Sequence, residues 1–281
     1  MKVLGLVASA RKLGNSEILV KEILSALPED TEKTMLRLTE LDIRQCNACY
    51  ACLPEDKTCV IQDDFAFFLD AVKAADAIVL AVPCYFLGTQ TSLKLLNDRF
   101  ISVLHQAKEF AGKPCVIAVT YGIPGWQGYA REAAVNFARF LHLDVLGTML
   151  VNAASPGEVV VPEVLQQARG LGSLLLSGKP AEVSEELLRC RDCGSTLLQI
   201  LATGEVRCRM CGLSGKIQMD GDRLELSFDQ PKHPRFSPEG MSEHAKVLEA
   251  VKQQFIMTRQ ELNKLRKPYQ EMNWWIKPER Q

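Results

Sequence analysis

The sequence predicts an α/β fold: a doubly wound, five-stranded parallel sheet within the first 180 residues, then a small β module and a C-terminal helix. Three observations carry this. Short, wholly apolar runs alternate with stretches of helical spacing, the pattern of strands buried on both faces. Two Cys-x2-Cys-Gly knuckles follow at Cys190–Gly194 and Cys208–Gly212, fourteen residues apart, with short alternating segments around them. From Ser242 to Leu265 apolar residues recur near heptad spacing.

Taken in order, Val3 to Ala8 is an apolar run read as strand 1. Ile18, Leu19, Ile23 and Leu27 give Asn15 to Leu27 helical spacing, ended by Pro28. Thr34 to Leu38 alternates and reads as strand 2. Asp63 and Asp64 are expected to cap a helix carrying Phe65, Phe68, Leu69 and Val72 on one face. Ala77 to Val82 is strand 3, stopped by Pro83, and Ser92 to Leu104 is helical. Cys115–Thr120 and Val145–Val151 are strands 4 and 5, with helices at Tyr129–Leu141 and Val161–Leu176. Five such strands predict the flavodoxin-like order 2-1-3-4-5.

That order places ligands beyond the carboxyl ends of strands 1 and 3, where the winding reverses. Ser9, Arg11, Gly14, Asn15 and Ser16 follow strand 1 and run into a helix. They offer side-chain hydrogen bonds, charge, a close backbone approach and the free amides of a helix N-terminus, which together suit an anion. The spacing matches neither GxGxxG nor a P-loop, so one terminal phosphate is expected rather than a dinucleotide. Pro83, Cys84, Tyr85, Phe86 and Gly88 follow strand 3, and Thr120 and Gly122 open a loop with Tyr121 and Trp126 after strand 4. A phosphate cradle beside two aromatic, glycine-bearing loops suits a flat ring with a phosphate tail, FMN. A helix N-cap and two ordinary turns is the plainer reading of the same residues.

Four of the ten cysteines crowd one loop at residues 44–60: Cys46, Cys49, Cys52 and, after six more residues, Cys59. Cys-x2-Cys-x2-Cys lets three thiolates converge on one compact cube, so a 4Fe–4S cluster is expected. Empty thiols or a regulatory disulfide are the alternatives. The opening Met1 to Ala10 superficially resembles a signal peptide, but its apolar run is short and holds Gly5. A reducing cytoplasm is therefore expected, where clustered cysteines are metal ligands more often than disulfides. Net charge of −1 with 24% charged residues argues against a nucleic-acid or anionic-membrane partner. His105 and His142 fall on helical stretches and read as structural, so no catalytic side chain is expected.

With these motifs in this order, residues 1–178 resemble the NADPH-dependent FMN reductase superfamily and, within it, the iron–sulfur flavoproteins. The resemblance rests on Ser9 to Ser16, on Cys46-Asn47-Ala48-Cys49-Tyr50-Ala51-Cys52 with Cys59, on Asp63-Asp64 and on Pro83 to Gly88. It implies a flavodoxin-like fold, FMN, a 4Fe–4S cluster and a homodimer or dimer of dimers. Cys84 departs from the family, whose members more often carry an aliphatic residue there. The resemblance is silent beyond residue 180.

The knuckle cysteines, Cys190, Cys193, Cys208 and Cys211, read as a zinc ribbon spanning 185–230. Hairpins are expected about Thr203-Gly204 and Asp220-Gly221-Asp222. Arg189, Arg191, Arg207 and Arg209 flank the ligands and offset the charge of four thiolates. Iron in the same cage would make a rubredoxin-like carrier, since tetrahedral S4 geometry suits both metals. Pro231 to Pro238 reads as a linker. The segment 239–281 reads as a helix ended by Pro268, free to pack on the body or on another subunit, with a tail docked by Trp274 and Trp275.

The function expected is an FMN-dependent oxidoreductase that couples two-electron flavin chemistry to a one-electron cluster, fed by NAD(P)H or a ferredoxin-type donor. A plain NAD(P)H-dependent FMN or quinone reductase without a cluster is one alternative. A redox or metal sensor that binds a partner through the ribbon is the other, although the ribbon lacks the interleaved aromatics of a nucleic-acid platform.

Overall fold

A computed structural model describes residues 1–182, 187–270, 272 and 274. The expected ribbon boundary at residue 185 and Trp275 lie outside the described residues. Strands β1 (Lys2–Val7), β2 (Glu32–Arg37), β3 (Ala77–Tyr85), β5 (Pro114–Tyr121) and β6 (Asp144–Asn152) form a parallel sheet in the order β2-β1-β3-β5-β6. This is the winding expected of strands 1 to 5. A sixth strand, β4 (Gly88–Thr89), folds back antiparallel on β3. Helices α1 (Asn15–Ser25), α2 (Phe65–Ala74), α3 (Thr91–Asn97), α4 (Ala107–Phe110), α5 (Ala130–Phe140) and α6 (Pro162–Ser177) connect them.

Side chains alternate across the sheet with period two. Leu4, Leu6, Ile78, Leu80, Ile117 and Val119 face a core shared with α2, α3 and α5. Val3, Val7, Val79, Ala81, Val116 and Ala118 face the other core, under α1 and α6. Gly5 sits where α1 crosses β1, and a Cβ there would meet Val20 at 2.4 Å. Phe68, Phe100 and Phe137 stack in the first core with centroids 5.0–6.4 Å apart. Truncating one of them to alanine costs about 3–5 kcal/mol through lost transfer energy and the cavity left behind.

Several elements differ from expectation. Pro83 does not stop β3, which runs on to Tyr85. The N–H and C=O of one strand residue point to the same side. The last bond to β1 is Ala8 N–H to Ala81 O at 2.9 Å, and the next ladder donor would be residue 83, so the proline ends pairing with β1 while β3 stays paired with β5 through Pro83 and Thr120 and the Pro83 carbonyl accepts from the Gln90 amide at 3.2 Å. The helix expected at Ser92–Leu104 divides into α3 and a 3₁₀ turn at Phe100–Val103. His142 follows α5 at φ +58° rather than lying within a helix, and His105 sits in a turn. Asp64 does not cap α2 with its side chain. Its carboxylate accepts instead from the Asp42 amide at 2.8 Å, while Asp63 accepts from Phe65 N–H at 3.1 Å.

The second sheet is antiparallel: β7 (Leu198–Ile200), β8 (Glu205–Cys208), β9 (Ser214–Asp220) and β10 (Arg223–Phe228), in chain order. Its two hairpins turn at the expected glycines, Gly204 at φ +81° and Gly221 at φ +60°. Helix α7 (Pro238–Gln270) packs Met241, Ala245 and Leu248 on Leu104, Phe140 and Phe236. It continues through Pro268. That proline removes one backbone donor only two residues before the helix end, and its fixed φ is helical, so the backbone need not turn there. Trp274 is exposed and does not dock the tail. No helix among the described residues is long and apolar enough to cross a membrane.

Candidate functional site

A cleft of about 200 Å³ opens at the carboxyl edge of the sheet, where β1 and β3 diverge. It gathers most of the residues expected to hold a cofactor. Ser9 and Arg11 line it from the β1–α1 loop, Asn15 and Ser16 from the start of α1, Pro83, Cys84 and Tyr85 from β3, and Thr120 and Tyr121 from the end of β5 with Gly122 just beyond it. Ala153 and Ala154, after β6, close the far side and were not anticipated.

The loop before α1 is built to present amides. The first helical hydrogen bond is Ile18 N–H to Gly14 O, which leaves the amides of Asn15, Ser16 and Glu17 without a helical acceptor. Gly14 is in close contact with the loop, since a Cβ would stand 2.9 Å from Arg11 Cβ. Asn15 has a different part from the one its type suggested. Its side-chain amide donates to Ala153 O and Ser155 O and accepts from Gly157 N–H, at 2.8–3.2 Å. It therefore fastens the β6–α6 loop to the mouth of the cleft. Arg11 also reaches that loop, donating to Ala154 O at 3.3 Å.

Beneath the loop lies an ion-pair network that the sequence did not reveal. Arg37, from β2, donates to Ser9 O at 2.7 Å and to Glu17 Oε2 at 2.6 Å, and Glu17 also accepts from Leu13 N–H and from Lys21. The hydrogen bond from Lys21, with those from Arg37 and Leu13, outweighs burial and holds the Glu17 carboxyl down at about 2. A lowered carboxylate stabilises the fold above its ordinary value of 4.5, and that stability is lost as pH falls from there through about 2. Glu17→Gln should therefore cost on the order of 3 kcal/mol at neutral pH. In urea denaturation the gap between variant and parent should narrow toward pH 3. A gap independent of pH would contradict this account.

The aromatic loops are latched together. The Cys84 thiol, its pKa raised by burial, donates to the carbonyls of Trp126 and Gln127 at 3.4–3.5 Å, and Tyr129 N–H donates to Leu87 O at 2.8 Å. Gly128 sits at φ +52°, and a Cβ there would strike Leu87 O at 2.1 Å. Phe86, at φ +47°, is fully exposed at the loop tip and does not line the cleft. Gly88 is buried under Tyr129.

The cysteine loop leaves the same carboxyl edge, between β2 and α2. Its ends are stapled where Asp63 accepts from Arg44 N–H at 2.8 Å and Asp64 from Asp42 N–H. Ala48 and Tyr50 adopt left-handed φ of +49° and +54° between the cysteines. Cys46, Cys49, Cys52 and Cys59 are all free thiols. Cys52 is buried and pushed up to about 11, first by desolvation and then by the charges of Cys59, Cys49 and Cys46, which marks the four as neighbours. They are not drawn together as tightly as ligands of a single ion. A cube spreads its thiolates over separate irons, whereas a single ion draws all of them to one centre.

The ribbon cysteines differ sharply. All four sulfurs of Cys190, Cys193, Cys208 and Cys211 lie within 4.8 Å of one another and are buried, with Cys190–Cys211 at 3.4 Å and Cys193–Cys208 at 3.5 Å. A tetrahedral ion with metal–sulfur bonds of about 2.3 Å needs sulfur edges of about 3.8 Å, which this cage matches. Gly194 and Gly212, at φ +69° and +79°, close the two knuckles by donating to Cys190 O and Cys208 O. Among the described residues no hydrogen bond joins the flanking arginines to the sulfurs. Arg191 donates to Asp229 O and Arg209 to Gln199, while Arg235, from the linker, caps Cys211 O.

Residues 1–156 match the family described as NADPH-dependent FMN reductase. The chain belongs to the NADPH-dependent FMN reductase family. Within it the chain is similar to iron–sulfur flavoproteins. It is 30% identical over 177 residues to one from Archaeoglobus fulgidus, covering 62% of this chain and 78% of the relative. It is 40% identical over 100 residues to one from Methanocaldococcus jannaschii, covering 35% of this chain and 51% of the relative. The chain thus spans about half the length of some of the curated relatives it matches. A solved flavone reductase superposes over 100% of both chains with a TM-score of 0.75 at 20% identity, a likeness of fold that includes the ribbon and α7. For this FMN reductase family member, FMN is the cofactor that the family supports.

Proposed function

We propose that this chain is a flavin-dependent oxidoreductase of the iron–sulfur flavoprotein type, moving electron pairs at FMN and single electrons at a 4Fe–4S cluster on Cys46, Cys49, Cys52 and Cys59. The observation that carries the reading is the shared edge: the cleft and a loop with four free thiols leave the same carboxyl end of one sheet. FMN, when bound, supplies the conversion between a hydride and single electrons, which a nicotinamide alone does not provide.

The chain's own part is binding and orientation. The amides that open α1, with Ser9, Ser16 and Arg11, form an anion cradle for the phosphate. Pro83, Cys84, Tyr85, Thr120 and Gly122 flank the ring, and the Cys84 latch fixes the spacing between their loops. Phe86 and Gly88 act from behind, the first at the exposed rim and the second as the seat of Tyr129. Gly14 and Asn15 shape the cradle rather than fill it. Among the described residues the cleft is lined by hydroxyl, amide, thiol and guanidinium groups rather than by histidine or carboxylate.

Zinc is the metal we assign to the ribbon, as a structural ion, with rubredoxin-like iron as the competing occupant. NAD(P)H or a ferredoxin-type protein is the electron donor in this reading, the setting is cytoplasmic, and the working form is a homo-oligomer. Nucleic acid and membrane partners have no part in it. Anaerobic purification with visible spectra and assays for flavin, iron, sulfide and zinc tests the proposal. Flavin bands over a broad iron–sulfur absorbance are expected. Flavin without iron would leave the plain reductase, and a colourless protein would sink both. Gly128→Ala should release FMN more readily, by about tenfold in Kd, because the added methyl forces the two ring-side loops apart. Flavin fluorescence titration reads it, and an unchanged Kd would count against the placement of the ring.

A further inference from the structure

Helix α7 is held by the body only along its first half. Met241, Ala245 and Leu248 pack on Leu104, Phe140 and Phe236, and Lys252 donates to Tyr50 O at 3.0 Å. From Gln253 to Gln270 every residue except Thr258 is exposed. At 1.5 Å per residue this is about 27 Å of helix. A helix of that length is marginal in water unless it buries an apolar face against something else.

The exposed half carries such a face. Val251, Phe255, Thr258, Leu262, Leu265 and Tyr269 follow one another at alternating steps of four and three residues, the a/d seam of a coiled coil. The apolar members are 37–71% exposed. At 3.6 residues per turn the seam lies about a quarter turn from the face that Met241, Ala245 and Leu248 press on the body. The body therefore leaves it open.

The two flanks of the seam differ in charge. Lys252, Arg259 and Arg266 run along one side at intervals of seven, and Gln254 and Glu261 along the other. In a parallel pair of helices each flank meets the opposite flank of its neighbour. Glu261 then faces the partner's Arg266 and Gln254 the partner's Arg259, each contact made twice by symmetry. An antiparallel pair sets the three cations against their own kind, which Coulomb repulsion disfavours. One helix thus supplies both halves of a complementary interface, and the occupant it fits is itself.

We propose that α7 joins two copies of this chain as a parallel coiled coil along the seam from Val251 to Tyr269. This rests on the homo-oligomeric reading of the working form and on neither cysteine set. Light scattering after size-exclusion chromatography of the flavin-loaded full chain tests it. Leu262→Glu with Leu265→Glu buries unpaired charge in the seam and should weaken association by at least about tenfold in Kd, taking dimer to monomer or tetramer to dimer. Both leucines are exposed in the single chain, so the flavin spectrum should not change. Glu261→Arg should also weaken association, and adding Arg266→Glu should restore it. No rescue would overturn the parallel pairing. Should the glutamate variants not fold, single cysteines decide. Val251→Cys and Leu265→Cys, made separately, should each form a self-linked dimer on oxidation, beyond the background of the parent, because a parallel seam brings both positions against their own copies. An antiparallel seam brings at most one of them there, and failure of either to link would overturn the proposal. A monomeric parent would refute the homo-oligomeric reading and this inference with it. An oligomeric parent that keeps its size with both glutamates in place would refute only the inference.

Discussion

Cys208→Ser is expected to strip the metal from the ribbon and unfold its sheet. Cys208 is buried at the end of β8, and its sulfur stands 3.5 Å from Cys193 within a cage whose four members are all buried. The ribbon has little else to hold it. Its core is the four cysteines with Val206 and Leu213, and Leu198, Met210, Phe228 and Phe236 are only partly buried around them. A structural zinc in such a module contributes about 10–16 kcal/mol of folding free energy, far more than so few apolar contacts supply. Metal analysis should fall to less than one equivalent of zinc, and limited proteolysis should open the chain between residues 187 and 230. The flavin spectrum should persist, because the cleft draws on none of these residues. An intact ribbon with undiminished metal would refute the assignment. Strong chelation of the parent should reproduce the variant.

The second large effect is on electron traffic. Cys52 is the most buried of the four loop thiols. Cys52→Ser should remove the iron–sulfur absorbance while leaving FMN in place. Reduction of a one-electron acceptor should then fall by about tenfold or more, whereas a two-electron quinone acceptor should be reduced as before, since the flavin can still pass an electron pair but the exit for single electrons through the cluster is gone. Iron-to-flavin ratios and paired assays with the two acceptors read the outcome. Unchanged iron, or equal losses with both acceptors, would contradict a cluster on this loop. The serine is nearly isosteric, so a loss of iron at constant flavin cannot be laid to general unfolding.

Much of the architecture was legible in the chain because its signals are local. A strand buried on both faces must be apolar at every position, so β1, β3 and β5 announce themselves as unbroken runs. The knuckles are legible for the same reason. Two residues between cysteines and a glycine after them specify a turn whatever surrounds it, and the cage at Cys190, Cys193, Cys208 and Cys211 follows. The cleft was legible one step further on, because strand order fixes which loops meet, and those loops carried Ser9, Ser16, Tyr85, Thr120 and Gly122.

By itself, then, the sequence determined the sheet, its winding, the edge where the cleft opens and the two cysteine sets. Only the tertiary structure decided how polar side chains are spent. Asn15 looks like a ligand-binding residue and turns inward to fasten a loop some 140 residues away. Nothing in the sequence marks Arg37 or Arg99, yet Arg37 lies under the cleft loop paired with Glu17, and Arg99 under the cysteine loop paired with Asp63, 36 residues distant in sequence. Pro83 looks like a terminator and ends only the pairing with β1, while β3 runs on beside β5. The reason is common to all of them. Backbone periodicity and turn chemistry are set by a few consecutive residues, whereas the partner of a charge or an amide is chosen through space, after the chain has folded.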